Sequence, residues 1–174
     1  GSPGVGKTSA AHALATDMGW DVMELNASDS RTKDQIEKVA GGAAMNQSLT
    51  NNGRQLVILD EADNLHRHKD RGGAGAMTRL VKSANQPIVL IANDFYDMSR
   101  GLRGACRDIE FRDVSARSIL PALRDICRRE DIQYDDAALE RIADRNAGDL
   151  RGAINDLQAV GEGRDRLTIE HIST

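Results

Sequence analysis

The sequence predicts an α/β protein: a phosphate-binding loop leading into a doubly wound parallel sheet, then a small α-helical domain. Three observations predict it. The first eight residues, Gly1-Ser2-Pro3-Gly4-Val5-Gly6-Lys7-Thr8, fit G-x-x-x-x-G-K-[ST] and run into the helix formers Ser9 to Ala15. Leu56-Val57-Ile58-Leu59 and Ile88-Val89-Leu90-Ile91 are continuous apolar runs, the mark of strands buried on both faces. Beyond about Phe111 no strand signal remains, and three amphipathic helical stretches follow.

Taken in order, the loop motif calls for a buried strand before it and a helix after it. No residue precedes Gly1, so the expectation is a piece of a longer chain with the first sheet strand outside it. Val22-Met23-Glu24-Leu25 is a weaker strand signal than the two central runs, and Ile109-Glu110-Phe111 a shorter one. Residues 46–53 read as a polar loop. In the first late helix Ile119, Leu123, Ile126 and Cys127 share a face; Ser118 as N-cap would place Pro121 in the first turn. Asp135 caps the second, which carries Leu139, Ile142 and Ala143 and ends near Gly148. Asp149 caps the third, with Leu150, Ile154 and Leu157, ending near Gly161. The partition expected is 1–112 for the α/β domain, 113–162 for the helical lid, and 163–174 for the start of a further region.

Composition narrows the class. Aromatic residues make up 3% of the 174, so the core must come from Ala, Leu, Ile and Val. A net charge of −4 argues against a general basic coat for nucleic acid and leaves room for a local basic strip. The bias to 18 Arg over 5 Lys and 19 Asp over 8 Glu hints at a GC-rich, salt-adapted source. No run approaches the roughly 18 apolar residues of a membrane helix. Cys106 and Cys127 lack metal-like spacing and fit a reducing, cytoplasmic compartment. His66 and His68 lack a second pair of ligands, so no metal centre of that kind is expected.

Four groups carry chemistry. In the loop, Gly1, Ser2, Pro3, Gly4, Val5 and Gly6 supply backbone N–H groups that converge on phosphate oxygens. Lys7 reaches the β- and γ-phosphates of ATP, and the Thr8 hydroxyl ligates Mg²⁺. Asp60 and Glu61 follow the strand of residues 56–59, at the carboxyl edge where ligands gather. Asp60 suits Mg²⁺ and Glu61 suits polarising the attacking water, while Asp63 reads as a cap. Asn93 ends the next strand on the same edge, where an amide orients a water or a γ-phosphate oxygen. Arg151 lies in the first turn of the last helix, where a cation opposes the dipole, so a role toward the γ-phosphate is expected.

Beyond the loop, the stretches "ELNASDSR" (24–31), "LDEAD" (59–63), "IAND" with a following "YD" (91–97) and "GDLRGAIND" (148–156) resemble the AAA+ family. Within it they look like the replication factor C clamp loaders, of archaeal type. The resemblance covers nearly the whole chain. It implies Asn93 as sensor 1 and Arg151 as sensor 2. It also implies a heteropentamer with small clamp-loader subunits that uses ATP to open a ring-shaped sliding clamp (PCNA) and close it on primer–template DNA, in the cytoplasm at the nucleoid. "DRGG" (70–73) resembles the large subunits. Small subunits carry Ser-Arg-Cys where this chain has Gly104-Ala105-Cys106, so Ala105 replaces the usual arginine finger. Arg100, Arg103 and Arg107 are spaced for one basic face. For sequence-blind contacts to the DNA backbone the resemblance offers Arg31, Lys33, Arg71, Arg79 and Lys82.

Two other readings stay open at this level: a subunit in which nucleotide only organises the assembly, and another AAA+ DNA-remodelling ATPase. By the same resemblance an adenine-contacting segment and a C-terminal collar also lie outside the 174 residues. The expectation is therefore that this segment alone binds ATP weakly and folds marginally. Titration of the isolated segment with ATP checks it, and tight binding overturns it.

Overall fold

A computed structural model describes residues 1–27, 54–66 and 73–172; the side chains of Leu65 and His66 are outside that description. The chain forms two compact units, one of Lys7–Glu110 and one of Gly1–Gly6 with Phe111–Thr174.

In the first unit, helix α1 (Lys7–Met18) leads to strand β1 (Asp21–Asn26). Strand β2 (Gln55–Asp60), a 3₁₀ turn (Ala62–His66), helix α2 (Gly73–Ser83), strand β3 (Ile88–Leu90) and helix α3 (Arg100–Ala105) follow. The sheet is parallel with order β1-β2-β3, in a register that pairs Leu25 with Leu59, Asn26 with Asp60, and Leu59 with Leu90. Alternate residues of a strand point to opposite faces. Val57 and Leu59 accordingly join Leu25, Met77, Leu80 and Leu102 in one core. Leu56 and Ile58 pack with Ala11, Ala15 and Ile91 in the other. That explains an unbroken apolar run: β2 is covered on both sides. Ala11 and Ala15, four apart on α1, are small enough to let the helix lie close to the sheet.

Residues 109–111, expected as a strand, are not one. A strand exists only by pairing; this segment pairs with none of the described strands, and Ile109 is 79% exposed. The expected face of three arginines is not formed either, because α3 stops at Ala105, Cys106 is extended, and Arg107 lies past the helix end.

The second unit contains helices α4 (Ala116–Arg129), α5 (Asp136–Arg145) and α6 (Leu150–Gly161), with two-residue strands β4 (Gln133–Tyr134) and β5 (Arg166–Leu167) in parallel. These strands, where none was expected, are too short to leave a periodic signal. Ile119, Leu123 and Cys127 of α4 meet Leu139 and Ile142 of α5 and Ala153 and Leu157 of α6. Leu167 and Ile172 share that core.

Two capping details differ from expectation and one agrees. The N-cap of α4 is Ser115, three residues before Ser118, whose N–H its side chain binds; Pro121 therefore lies inside the helix. Asp135 occupies the N-cap of α5 but makes no side-chain cap bond, and its Oδ1 accepts from Arg166 at 2.8 Å instead. Asp149 does cap α6, its Oδ1 accepting from the Gly152 N–H at 2.9 Å. Both cysteines are free, and burial among the helices pushes the Cys127 thiol upward in pKa.

Leu59 is fully buried. Leu59→Ala in the full-length chain should cost about 2–5 kcal/mol in urea unfolding, since removed methyls leave a cavity between two rigid faces.

Candidate functional site

The chemistry of the first unit collects at the carboxyl edge of its sheet. β2 ends at Asp60, and β3 ends at Leu90, three residues before Asn93. The strand ends are tied together beyond the ladder: Ala27 N–H donates to Asp60 O (2.9 Å), Ile91 N–H to Leu59 O (2.9 Å) and Ala62 N–H to Ile91 O (2.8 Å). Helix α1 begins at Lys7 with no acidic residue in its first turn, so its positive end is left for an anion.

Four expected side chains come together here. Thr8 Oγ1 donates to Asp60 Oδ2 at 2.9 Å. Lys7 Nζ donates to Asn93 Oδ1 at 2.9 Å, although 86 residues separate them. Glu61 follows directly, with its backbone N–H on Asp60 Oδ1 at 2.7 Å. Its φ of 54° is left-handed, an unfavourable backbone for a residue with a Cβ, of order 1–2 kcal/mol. Asn64 Nδ2 donates to Glu61 Oε2 at 3.1 Å and fixes the carboxylate's direction.

Two residues that bond to this group escaped the sequence reading. Asn64 stands three residues after Glu61 in a polar turn, and nothing in its identity marks it. Asp63, read as a cap, reaches away from its own turn: Oδ2 accepts from the backbone N–H groups of Asn93 (3.3 Å) and Asp94 (3.2 Å). Partners 30 residues away leave no local signature.

In the second unit the loop's first six residues meet the start of α6. Gly4 (φ 73°) and Gly6 (φ 90°) take left-handed backbone that glycine accepts freely. Gly4 has a further reason: a Cβ there would fall 1.7 Å from Asp149 Oδ1. Its carbonyl accepts from the Arg151 N–H at 3.4 Å, so Arg151 is placed beside the loop through the backbone while its side chain is exposed. A loop this bare of side chains fits a phosphate cradle.

Other candidates are not gathered at either place. Arg79 and Lys82 are exposed on α2, three residues apart. Arg31, Lys33 and Arg71, and with them half of "ELNASDSR" and most of "DRGG", lie outside the described residues, as does His68. Arg103 sits 5.4 Å from the Phe95 ring centre and 5.7 Å from that of Tyr96, a cation–π arrangement. Ala105 ends α3 and has no charge to offer a neighbour. Among the described residues there is no cluster of three metal-binding side chains, and no helix long and apolar enough to cross a membrane.

The sequence of residues 1–113 matches the ATPase family associated with various cellular activities (AAA), and residues 122–160 match an RCF1/5-like AAA+ ATPase lid domain. The chain belongs to the AAA family, an α/β ATPase domain with a parallel sheet followed by a helical lid, and the match implies nucleotide binding. The replication factor C large subunit of Natronomonas pharaonis is 73% identical over 159 residues, covering 91% of this chain and 33% of that protein. That of Halorubrum lacusprofundi is 65% identical over 186 aligned residues, covering 100% of this chain and 37% of that protein. The chain thus spans about a third of the length of these relatives. In fold it is similar to the solved Thermotoga maritima RuvB Holliday junction branch migration motor, at a TM-score of 0.79 and 19% identity, over 98% of this chain and 57% of that one.

Gly163 has the same φ as Gly4, 73°, with open space where a Cβ would go. Gly163→Ala should therefore cost about 1–2 kcal/mol from backbone strain alone. Gly4→Ala should cost more in urea unfolding, and the excess should shrink when both chains compared carry Asp149→Ala, so that the lost α6 cap cancels.

Proposed function

We propose that the chain is the ATP-binding part of a clamp-loader large subunit, which hydrolyses ATP to open a sliding clamp (PCNA) and load it on primed DNA. The observation that carries the ATPase reading is the pairing of Lys7 with Asn93 and of Thr8 with Asp60, beside Glu61, at one sheet edge. The clamp-loading part is supported by the identity to replication factor C large subunits.

In this reading the loop of Gly1 to Gly6 wraps the phosphates with backbone N–H groups, and Lys7 exchanges Asn93 for the β- and γ-phosphates. Thr8 Oγ1 and Asp60, hard oxygen donors already in contact, would hold Mg²⁺, which neutralises phosphate charge when bound. Glu61, released from Asn64, takes the proton of the attacking water as general base, and Asn93 orients that water or a γ-phosphate oxygen. Arg151 reports the γ-phosphate to the helical lid, for which 113–162 remains the proposed extent. With Ala105 at the finger position, the chain receives an arginine from a neighbour in a heteropentamer with small subunits and gives none in the usual place. Arg31, Lys33, Arg71, Arg79 and Lys82 are the proposed contacts to the primer–template backbone, and the proposed location is the cytoplasm, at the nucleoid.

The test is steady-state ATP hydrolysis by the full-length chain assembled with its small subunits, with and without clamp and primed DNA. The rate should rise with both and vanish in Lys7→Ala. Glu61→Gln should lower kcat by about 10²–10⁴-fold, the range of a lost general base, while ATP still binds. A rate indifferent to clamp and DNA overturns the clamp-loading reading. Full clamp loading by Glu61→Gln shows instead that nucleotide only organises the assembly.

A further inference from the structure

We propose that Asp63 is a positioning residue that joins the turn carrying Asp60 and Glu61 to the segment carrying Asn93, so that the two halves of the hydrolytic apparatus hold one geometry. The inference rests on the ATPase reading above and adds a residue to it.

β3 ends at Leu90, and just beyond it Ile91 is bonded to Leu59 O and Ala62 N–H. Asn93 lies two residues further on and is exposed, so neither the ladder nor the core orients it. The carboxylate of Asp63 does. It is buried, at 7% exposure, and a single oxygen accepts from the consecutive N–H groups of Asn93 and Asp94 at 3.3 and 3.2 Å. Two successive amides aimed at one atom fix the peptide between them, and with it the direction in which Asn93 leaves the backbone. That direction brings Asn93 Oδ1 to 2.9 Å from Lys7 Nζ.

The other end of the tie is as short. Asp63 is two residues from Glu61 and three from Asp60, in the turn whose Ala62 N–H is bonded to Ile91 O. Any shift of Asn93 and Asp94 is thus transmitted to the turn that aims Glu61. Stability alone does not account for a carboxylate here. Oδ1 is buried and makes no hydrogen bond among the described residues, a loss of about 1–3 kcal/mol for an interior polar atom. A carboxylate kept under those conditions is best explained by the two amides it holds.

Asn at this position retains one oxygen for both amides, whereas Ala retains none. The test therefore compares Asp63→Ala, Asp63→Asn, Asn93→Ala and the Asp63→Ala/Asn93→Ala pair in the full-length chain assembled with its small subunits. ATP affinity, kcat and amide hydrogen exchange are measured for each. Asp63→Ala should lower kcat about tenfold or more with little change in ATP affinity, the signature of a misplaced group. Asp63→Asn should recover most of that loss. The double variant should be no slower than Asn93→Ala alone, because residues acting through one another are not additive. Exchange at the Asn93 and Asp94 amides should quicken in Asp63→Ala while β2 stays protected, a local opening in place of global destabilisation. Additive losses, wild-type kcat in Asp63→Ala, or exchange rising equally throughout β2 would each overturn the inference. If the wild-type assembly hydrolyses no ATP the ATPase reading fails, and the exchange pattern still decides whether Asp63 holds residues 93 and 94.

Discussion

Everything at the candidate site depends on β2 being buried on both faces. Leu56 and Ile58 are committed to one core and Val57 and Leu59 to the other, so no polar side chain has a place along the strand. Each such residue contributes of order 1.5–3 kcal/mol by leaving water. The first polar groups the chain can present come at Asp60 and Glu61, where the strand ends. The register that aligns Leu59 with Leu25 and Leu90 brings the neighbouring strands to their ends at the same height. Chemistry gathers at the end of β2 because the hydrophobic effect excludes it from the four buried positions of that strand.

That edge must hold an unfavourable backbone. Glu61 sits at a φ of 54°, where glycine would be easier, yet a glycine has no carboxylate to offer. The surrounding bonds hold it there: its own N–H is on Asp60 Oδ1, and the next N–H, of Ala62, is on Ile91 O. Local backbone strain is thus carried by the same bonds that connect adjacent strands. A carboxylate aimed by a strained turn keeps its direction only while those bonds persist.

How much of this was legible beforehand follows from the range of each interaction. The phosphate loop is a local spacing, and the runs at 56–59 and 88–91 state their burial in their own composition, so the parallel sheet and its chemical edge could be read directly. Thr8, Lys7, Asp60 and Asn93 could be expected on that edge, though not which would touch which, since contact distances depend on register. The caps were only partly legible: Ser115 and Ser118 both suit an N-cap, and choosing between them requires knowing where the chain enters the helix. Asp135 reads as a cap by identity, yet Arg166, 31 residues away, takes its oxygen. Residues 109–111 look like a strand because β-propensity describes a surface that fits a partner and cannot tell whether one is present. The bonds of Asp63 and Asn64 at the site were invisible because their partners are supplied by folding.

The bonds at the site fall into two mechanical classes, and the difference bears on how it works. Lys7 to Asn93 is exposed and Thr8 to Asp60 only part-buried. Hydrogen bonds of this sort contribute about 0.5–1.5 kcal/mol net, because water competes for the same groups. A phosphate or a divalent cation carries far more charge than these partners and displaces them readily. The tie from Ala62 to Ile91 joins two buried residues, and the Asp63 carboxylate that reaches the exposed residues 93 and 94 is itself buried. Breaking the Ala62–Ile91 bond strands polar atoms away from water, a much larger cost. Under the proposed function, ligand binding would exchange the outer partners of Lys7 and Thr8 while the inner frame stays intact, which is how a site can be occupied without first being rebuilt.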